Sequence, residues 1–316
     1  MKILFVTNMF PTRSDPVYGI FVQEQIEDIV SALNCKHDLY YINAKKKGKL
    51  MYLLSMLYIP IKAKFFNYDV IHIHYGISAL FLLFFRSKSK VFLTLHGGDI
   101  LSKQGKQLQV FLTKKILGKV DKVFILNREM EGIVNSLNVA YEILPCGVNA
   151  DFFKPVANYK SNKSFKLVLF PGNPLVEVKN YSLFEKTIQA LIQKSHYTIE
   201  FQCIHNLSRE GVRSLLNSAD CLVMTSISEG SPQIIKEAIC CGLPIVSVPV
   251  GDVKQMTESV PHCYVSDSYS PDELSGLVLK SFQGKGDAIR NAFISKNIYD
   301  SHSVTKRIIQ NYNSTF

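Results

Sequence analysis

Residues 228–252 read SEGSPQIIKEAICCGLPIVSVPVGD and set two carboxylates, Glu229 and Glu237, across a helix start with seven residues between them. Ser231 followed by Pro232 has the form of a hydroxyl cap and a proline at the first helical position. Gly242 and Pro244 close the helix after Cys240 and Cys241. Glu229 and Gly230 then fall in the turn beside the helix's unpaired N–H groups, and Glu237 lies about one and a half turns inside. Free N–H donors and the helix dipole favour phosphate, while a nearby carboxylate accepts hydrogen bonds from sugar hydroxyls. The arrangement suits a ligand with a diphosphate and hydroxylated rings, a nucleotide sugar. Spacing alone fits equally well a solvated helix glutamate preceded by one that favours the dipole.

The elements that must position these groups alternate along the chain. KILFVT, HDLYYI, DVIHIH, KVFLTLH and KVFILN read as strands, being short, apolar and rich in β-branched and aromatic residues. FVQEQIEDIVSAL and LQVFLTKKILGKV between them have helical spacing. The second half repeats the plan with KLVLFPG, YTIEFQCI, CLVMTS, PIVSVPV and HCYVSD, and with NYSLFEKTIQALIQK as a helix. This alternation predicts an α/β chain with two parallel sheets, each covered on both faces. The apolar-poor stretch 156–164 is the expected linker between domains at 1–156 and 157–301, with a C-terminal helix at about 302–316 packing back on the first. SALFLLFF (78–85) reads as a buried helix. The loop TNMFPTRSDPVYG after the first strand has one glycine, Gly19, so the GxGxxG support for a dinucleotide-dependent dehydrogenase is missing. His72 and His74 alternate with apolar residues and share a face; HxH can ligate metal, but no third ligand lies nearby, which favours packing or lining.

The stretch SISEGSPQIIKEAICCGLPIVSVPVGDV resembles the donor-site signature of family 4 retaining glycosyltransferases. Glu229, Gly230, Pro232, Glu237, Ala238, Gly242, Pro244, Ile245 and Val246 match that pattern position by position. VRSLLNSADCLVMTS and ILPCGVNADFFKP (143–155) extend the resemblance. It implies the GT-B fold, two Rossmann-like domains whose parallel sheets face across a cleft. It further implies Glu229 near the transferred sugar, Glu237 on the ribose hydroxyls, and Gly230 and Ser231 amides near sugar or phosphates. Lys179 matches the family's diphosphate-binding lysine, but Asn173 or a neighbour stands where an arginine is usual. By the same resemblance Gly19 lets backbone approach the donor, and His96, at a strand end before Gly97 and Gly98, lies near the donor sugar. Asp99 is a weaker acceptor-side candidate. The nucleotide sugar is substrate rather than cofactor, no metal is expected, and no Asp-x-Asp occurs in the chain. Transfer would be by front-face attack with retention.

Charge is uneven. Residues 1–155 carry 20 Lys/Arg against 12 Asp/Glu, and residues 156–316 carry 16 against 14. A basic first half suits an anionic partner. Residues 45–66, KKKGKLMYLLSMLYIPIKAKFF, place lysines on both sides of an apolar run too short to span a bilayer. Such a stretch can lie in an anionic membrane interface or form an ordinary core helix with solvated lysine ends. Nucleic-acid binding has only the charge in its favour. Seven cysteines form no CxxC pair, which fits a reducing compartment, and the opening MKILFVTNMF reads as a strand rather than a signal peptide. The expected protein is thus a cytoplasmic glycosyltransferase, peripheral on the inner membrane face, using a UDP-sugar and a surface-polysaccharide or lipid-linked glycan acceptor. The alternatives are another GT-B activity, such as a sugar-nucleotide epimerase, against which the hinge and signature context argue, or a catalytically weak nucleotide-sugar-binding subunit, which the missing arginine favours.

Overall fold

The computed structural model describes residues 1–101, 106–156 and 164–314. The linker expected at 156–164 lies, apart from its two end residues, outside the described residues. The chain divides into two compact units, residues 1–147 with 301–316, and residues 148–300.

The first unit runs β1 (Lys2–Thr7), α1 (Ile20–Leu33), β2 (Lys36–Tyr41), α2 (Ala44–Lys47), α3 (Leu50–Phe66), β3 (Val70–His74), β4 (Lys90–Thr94), α4 (Gln107–Leu117), β5 (Lys122–Ile125), α5 (Arg128–Asn135) and β6 (Tyr141–Ile143). The strands form one parallel sheet in the order β2-β1-β3-β4-β5-β6. Its central strands are buried on both faces, from Ile3 to Val6 and from Val70 to Ile73, as their nearly unbroken apolar runs require. The segment 76–83 is a 3-10 helix rather than the α-helix expected over 78–85. It buries Ser78, Ala79, Phe81 and Leu82, and leaves Phe84 exposed beyond its end.

The second unit contains β7 (Phe165–Phe170), α6 (Tyr181–Lys194), β8 (Thr198–Cys203), α7 (Arg209–Ser218), β9 (Cys221–Met224), α8 (Gln233–Cys240), β10 (Ile245–Ser247), α9 (Val253–Thr257), β11 (Tyr264–Val265), α10 (Pro271–Ser281) and α11 (Asp287–Ile294). Its parallel sheet has the order β11-β10-β9-β7-β8. The order reverses between β7 and β9, and the region beyond the carboxyl ends of the strands at such a reversal is the usual ligand position in parallel sheets. Arg290 of α11 secures the segment entering the unit, donating to the carbonyls of Ala150, Phe153 and Cys240 at 2.7–2.8 Å.

The last helix, α12 (Ser301–Ser314), belongs to the first unit, where it packs beside α1. Val304, Ile308 and Tyr312 join Val22, Ile26 and Ile29 in the core on that side of the sheet. Tyr312 is fully buried, with its ring 4.9 Å from that of Phe92 and its hydroxyl bonded to Nδ1 of His72. Arg307 and Asn311 both bind the Glu142 carboxylate.

The helix α3 is apolar on both faces. It turns Ser55, Ile59 and Ala63 inward with Met51, Tyr52 and Met56 packed against the core, while Leu50, Leu53, Leu54, Leu57, Tyr58, Ile61 and Phe65 form an exposed stripe at helical spacing. An ordinary amphipathic surface helix would carry polar residues on that outer face.

Tyr312→Ala is expected to cost about 3–5 kcal/mol of stability by emptying a large buried site. Tyr312→Phe, which only unpairs the buried His72 nitrogen, should cost about 1–3 kcal/mol. Urea unfolding followed by fluorescence checks both values and their order.

Candidate functional site

The site of the second unit is built from two loops stitched together. After β7 the chain makes a 3-10 turn over Glu177–Lys179. The hydroxyl of Thr225, just past β9, donates to the carbonyls of Lys179 and Asn180 at 3.1 and 3.0 Å, and the amide of Ile227 donates to Val178 O at 2.9 Å. The stem of Lys179 packs over Gly172, where an added Cβ would meet Lys179 Cε at 3.3 Å. With both loops held, Lys179 Nζ sits 2.7 Å from Glu229 Oε1, and both side chains are about four-fifths covered. Lys179 and Glu229, 50 residues apart in sequence, are thus brought together.

The next turn approaches a third loop. Gly251 has φ +54°, and a Cβ there would lie 2.5 Å from Gly230 O, so only glycine permits this approach. Ser231 is not the helix cap its sequence predicts. The α8 helix begins at Gln233 behind Pro232, which makes no side-chain cap bond, and the Ser231 hydroxyl donates to Asp252 Oδ2 at 2.8 Å. The physical reason is burial, because Asp252 is almost wholly covered and its Oδ1 has no partner among the described residues. A hydroxyl that satisfies a buried carboxylate is held there more firmly than one that caps an accessible amide. Burial pushes the Asp252 carboxyl up to about 6, against the opposing pull of the Lys236 charge and the Ser231 hydroxyl. Lys236 itself is fully buried on α8.

Glu237, one helical turn beyond Gln233, is buried and ion-paired with Arg209, Nη1 lying 2.6 Å from Oε1. Arg209 opens α7, whose cap is the Ser208 hydroxyl accepting from Gly211 N at 3.1 Å. The guanidinium stacks over the buried Phe153 ring, 4.6 Å from its centroid. Sequence reasoning missed Arg209; the available signal was a cation on the helix start just past the carboxyl end of a parallel strand. It missed Asp252 as well, although the glycine before it is part of the quoted motif. Asn173 does not extend towards a ligand, since its Oδ1 accepts the Leu175 amide at 2.9 Å within its own loop.

In the first unit, His96 leaves β4 with Nε2 3.4 Å from His74 Nδ1, Nδ1 4.0 Å from Cys146 Sγ, and its ring beside Phe21. His72 and His74 are both fully buried, stacked 4.6 Å apart, and held neutral by burial, which drives the His72 pKa down to about 3 and that of His74 well below its usual value. His72 is bonded to Tyr312 and Thr94, which is a packing role. Asp99, the acceptor-side candidate, is fully buried and accepts the backbone amides of Gly76 and His96 at 2.9–3.2 Å. Its carboxylate braces the loops that follow β3 and β4 rather than facing an acceptor. Burial raises it to about 6 despite those bonds. Gly19 has φ +73°, and a Cβ there would lie 2.5 Å from the Met9 carbonyl carbon, so its close approach is to the chain's own backbone. Among the described residues no group of three or more His, Cys, Asp or Glu is arranged to hold a metal ion.

The site can therefore offer a lysine ammonium and the positive end of the α8 dipole to phosphate, and two carboxylates to hydroxyl groups. Each carboxylate is held by a cation from a different loop.

The raised Asp252 pKa sets a pH signature. A carboxyl whose folded value exceeds its unfolded value contributes stability that is present below the unfolded pKa and lost as pH rises through the folded one. Between about pH 4 and 6 the wild type is expected to lose stability relative to Asp252→Asn, by about 2–3 kcal/mol across the window. Thermal unfolding of both proteins across that range checks the sign and size.

Comparison with known proteins agrees with this architecture. The family model described as Glycosyl transferases group 1 matches residues 158–298, and that described as Glycosyltransferase Family 4 matches residues 26–152. The chain is 20% identical to a putative teichuronic acid biosynthesis glycosyltransferase, TuaC, of Bacillus subtilis, an alignment covering 84% of this chain and 85% of that protein. Sucrose-phosphate synthase from Thermosynechococcus elongatus has a similar fold, with TM-score 0.81 and 14% identity over 100% of this chain and 98% of that one. Anabaena Alr3699/HepE, solved in complex with UDP, gives TM-score 0.74 and 14% identity over 99% and 100%. With one model on each half and two parallel-sheet units beneath them, the chain belongs to the family 4 glycosyltransferases of GT-B fold.

Proposed function

We propose that this glycosyltransferase moves a sugar from a UDP-sugar to a surface-polysaccharide or lipid-linked glycan acceptor, with retention of configuration and without a metal ion. The observation that carries the donor assignment is the pair of carboxylates, part-buried Glu229 and buried Glu237, set about the α8 start with Lys179 and Arg209 against them. In this reading Glu237 receives the ribose hydroxyls, Glu229 lies near the transferred sugar, and the Gly230 and Ser231 amides lie near its phosphates. Lys179 stabilises charge that builds on the departing diphosphate, in the place a divalent cation takes in other transferases. The acceptor hydroxyl attacks from the face that the phosphate leaves, and the phosphate oxygen takes its proton. In the first unit, His96 is the group assigned to the sugar, with Gly19 shaping the loop after β1. HepE, of similar fold, was solved with UDP and with UDP-glucose, and TuaC is named for teichuronic acid biosynthesis, which supports a UDP-sugar and a glycan acceptor. Asn173, folded back on its own loop, favours a second reading as a catalytically weak donor-binding subunit.

Calorimetric titration with UDP, GDP and their sugar conjugates tests the donor site. UDP and UDP-sugars should bind saturably to the wild type and not measurably to Glu237→Ala. Lys179→Ala should lower kcat by about 10²–10³-fold, and turnover should be unchanged by EDTA. Absence of binding to every nucleotide rules out the donor assignment, while binding with no turnover on any glycan selects the second reading.

We further place the protein peripherally on the cytoplasmic face of a membrane through α3. Among the described residues no helix is long and apolar enough to cross one. The exposed apolar stripe of α3 is flanked by Lys46, Lys47 and Lys49 at one end and Lys64 at the other, Lys45 and Lys62 being paired with Asp15 and Asp38, and residues 44–68 hold no acidic side chain. An antiparallel pairing of two copies would set lysines against lysines, whereas an anionic bilayer takes both the charge and the apolar stripe. Vesicles containing phosphatidylglycerol should sediment the wild type, while Leu57→Asp with Ile61→Asp stays in solution. Equal sedimentation of both proteins sinks this placement.

A further inference from the structure

The pairing of Arg209 with Glu237 goes beyond what a donor site strictly requires. A carboxylate with no fixed partner could turn either oxygen towards a ligand. Arg209 removes that freedom. Its Nη1 takes Oε1 at 2.6 Å, which leaves Oε2 to receive a ligand hydroxyl from one direction.

The guanidinium is itself fixed. It lies flat over Phe153, a fully buried ring, and one turn later Arg213 stacks at the same 4.6 Å on Phe152. The two phenylalanines pack edge to face against each other. The Phe153 carbonyl is in turn held by Arg290. The start of α7 is therefore clamped to the 149–153 segment, and the direction of the Arg209 fork is set before any ligand arrives. The two Arg209 and Lys179 cations divide the labour. Lys179 holds Glu229, and Arg209 holds Glu237.

We propose that Arg209 is a specificity-determining positioning residue, which keeps Glu237 oriented so that the site selects a ribonucleotide over a deoxyribonucleotide donor. An acceptor-only carboxylate pinned in this way has nothing to bond when the sugar lacks the matching hydroxyl, and a site built to hydrogen-bond a hydroxyl rejects the analogue without it. This rests on the reading that Glu237 receives a ribose hydroxyl.

The test compares UDP with 2′-deoxy-UDP and 3′-deoxy-UDP by calorimetry on wild type, Arg209→Met, Arg209→Gln, Arg209→Lys and Glu237→Gln. Wild type is expected to prefer UDP over at least one deoxy analogue by about 10- to 100-fold, the value of a hydrogen bond to a charged group. In Arg209→Met, Arg209→Gln and Glu237→Gln that preference should fall to within about 3-fold of unity, because UDP binding weakens while deoxy binding changes little; Arg209→Lys should restore part of it. Should Arg209→Met not fold, Arg209→Gln, which keeps an uncharged polar side chain at the position, decides alone. If the Arg209 variants weaken UDP and its deoxy analogues by the same factor, the residue is structural and the proposal is overturned while the donor site stands. If wild type binds UDP and both analogues equally, the ribose reading of Glu237 fails, and this proposal with it.

Discussion

An ionised carboxylate withdrawn from water must be met by a cation or by several donors, and the second unit is organised around meeting that requirement twice. Glu229 finds Lys179 and Glu237 finds Arg209, each partner coming from a separate loop at the carboxyl end of the sheet. The cost of leaving either acid unpaired is several kcal/mol, so the loops after β7, β8 and β9 cannot move independently. The stitching of Thr225 and Ile227 onto the Val178–Asn180 turn follows from the same demand, since it fixes the distance between Lys179 and Glu229. Parallel topology supplies the place, because ligands of such sheets sit beyond the carboxyl ends of the strands where the order reverses, here between β7 and β9.

The same reasoning explains the buried charges that make no contact with the proposed donor. Asp252 is paired with a hydroxyl and sits near a fully buried lysine, and Asp99 takes backbone amides instead of a cation. Both are pushed to about 6, which marks them as groups whose desolvation is only partly offset. Their value lies in geometry. Asp252 holds the turn through Ser231, and Asp99 holds the amide of His96, so each acid fixes a neighbour that the sequence motif brings to notice first.

The first unit uses its resources differently. Its sheet is sealed on one side by α1 and α12, where Tyr312 closes the core over Phe92 and His72. On the other side α3 gives the core Ser55, Ile59 and Ala63, with Met51, Tyr52 and Met56 against it, and keeps its leucines outside. Burying that stripe would release free energy in proportion to its apolar area. Leaving it in water is a standing penalty, which is consistent with a surface that has its partner elsewhere.

Much was legible in the sequence because it depends on local pattern. Short apolar runs such as VIHIH and FKLVLF can only be strands covered on both faces, and their alternation with helical spacing gives two parallel α/β units. The acid–seven–acid spacing likewise fixed where two carboxylates stand along one helix start. What pattern could not supply was partner choice at a distance. Ser231 has the ideal form of a helix cap, yet its hydroxyl goes to Asp252, 21 residues on, because a buried acid competes for it more strongly than an accessible amide. Only folding laid Arg209 on Phe153 and against Glu237. The sequence left the leucines of α3 open between a core and an interfacial helix, and the fold turned them to the surface. Periodicity is a property of neighbouring residues and survives in the sequence, whereas desolvation is a property of what the fold places around a group, and so the tertiary structure alone decided which charges and which apolar faces were left to be satisfied.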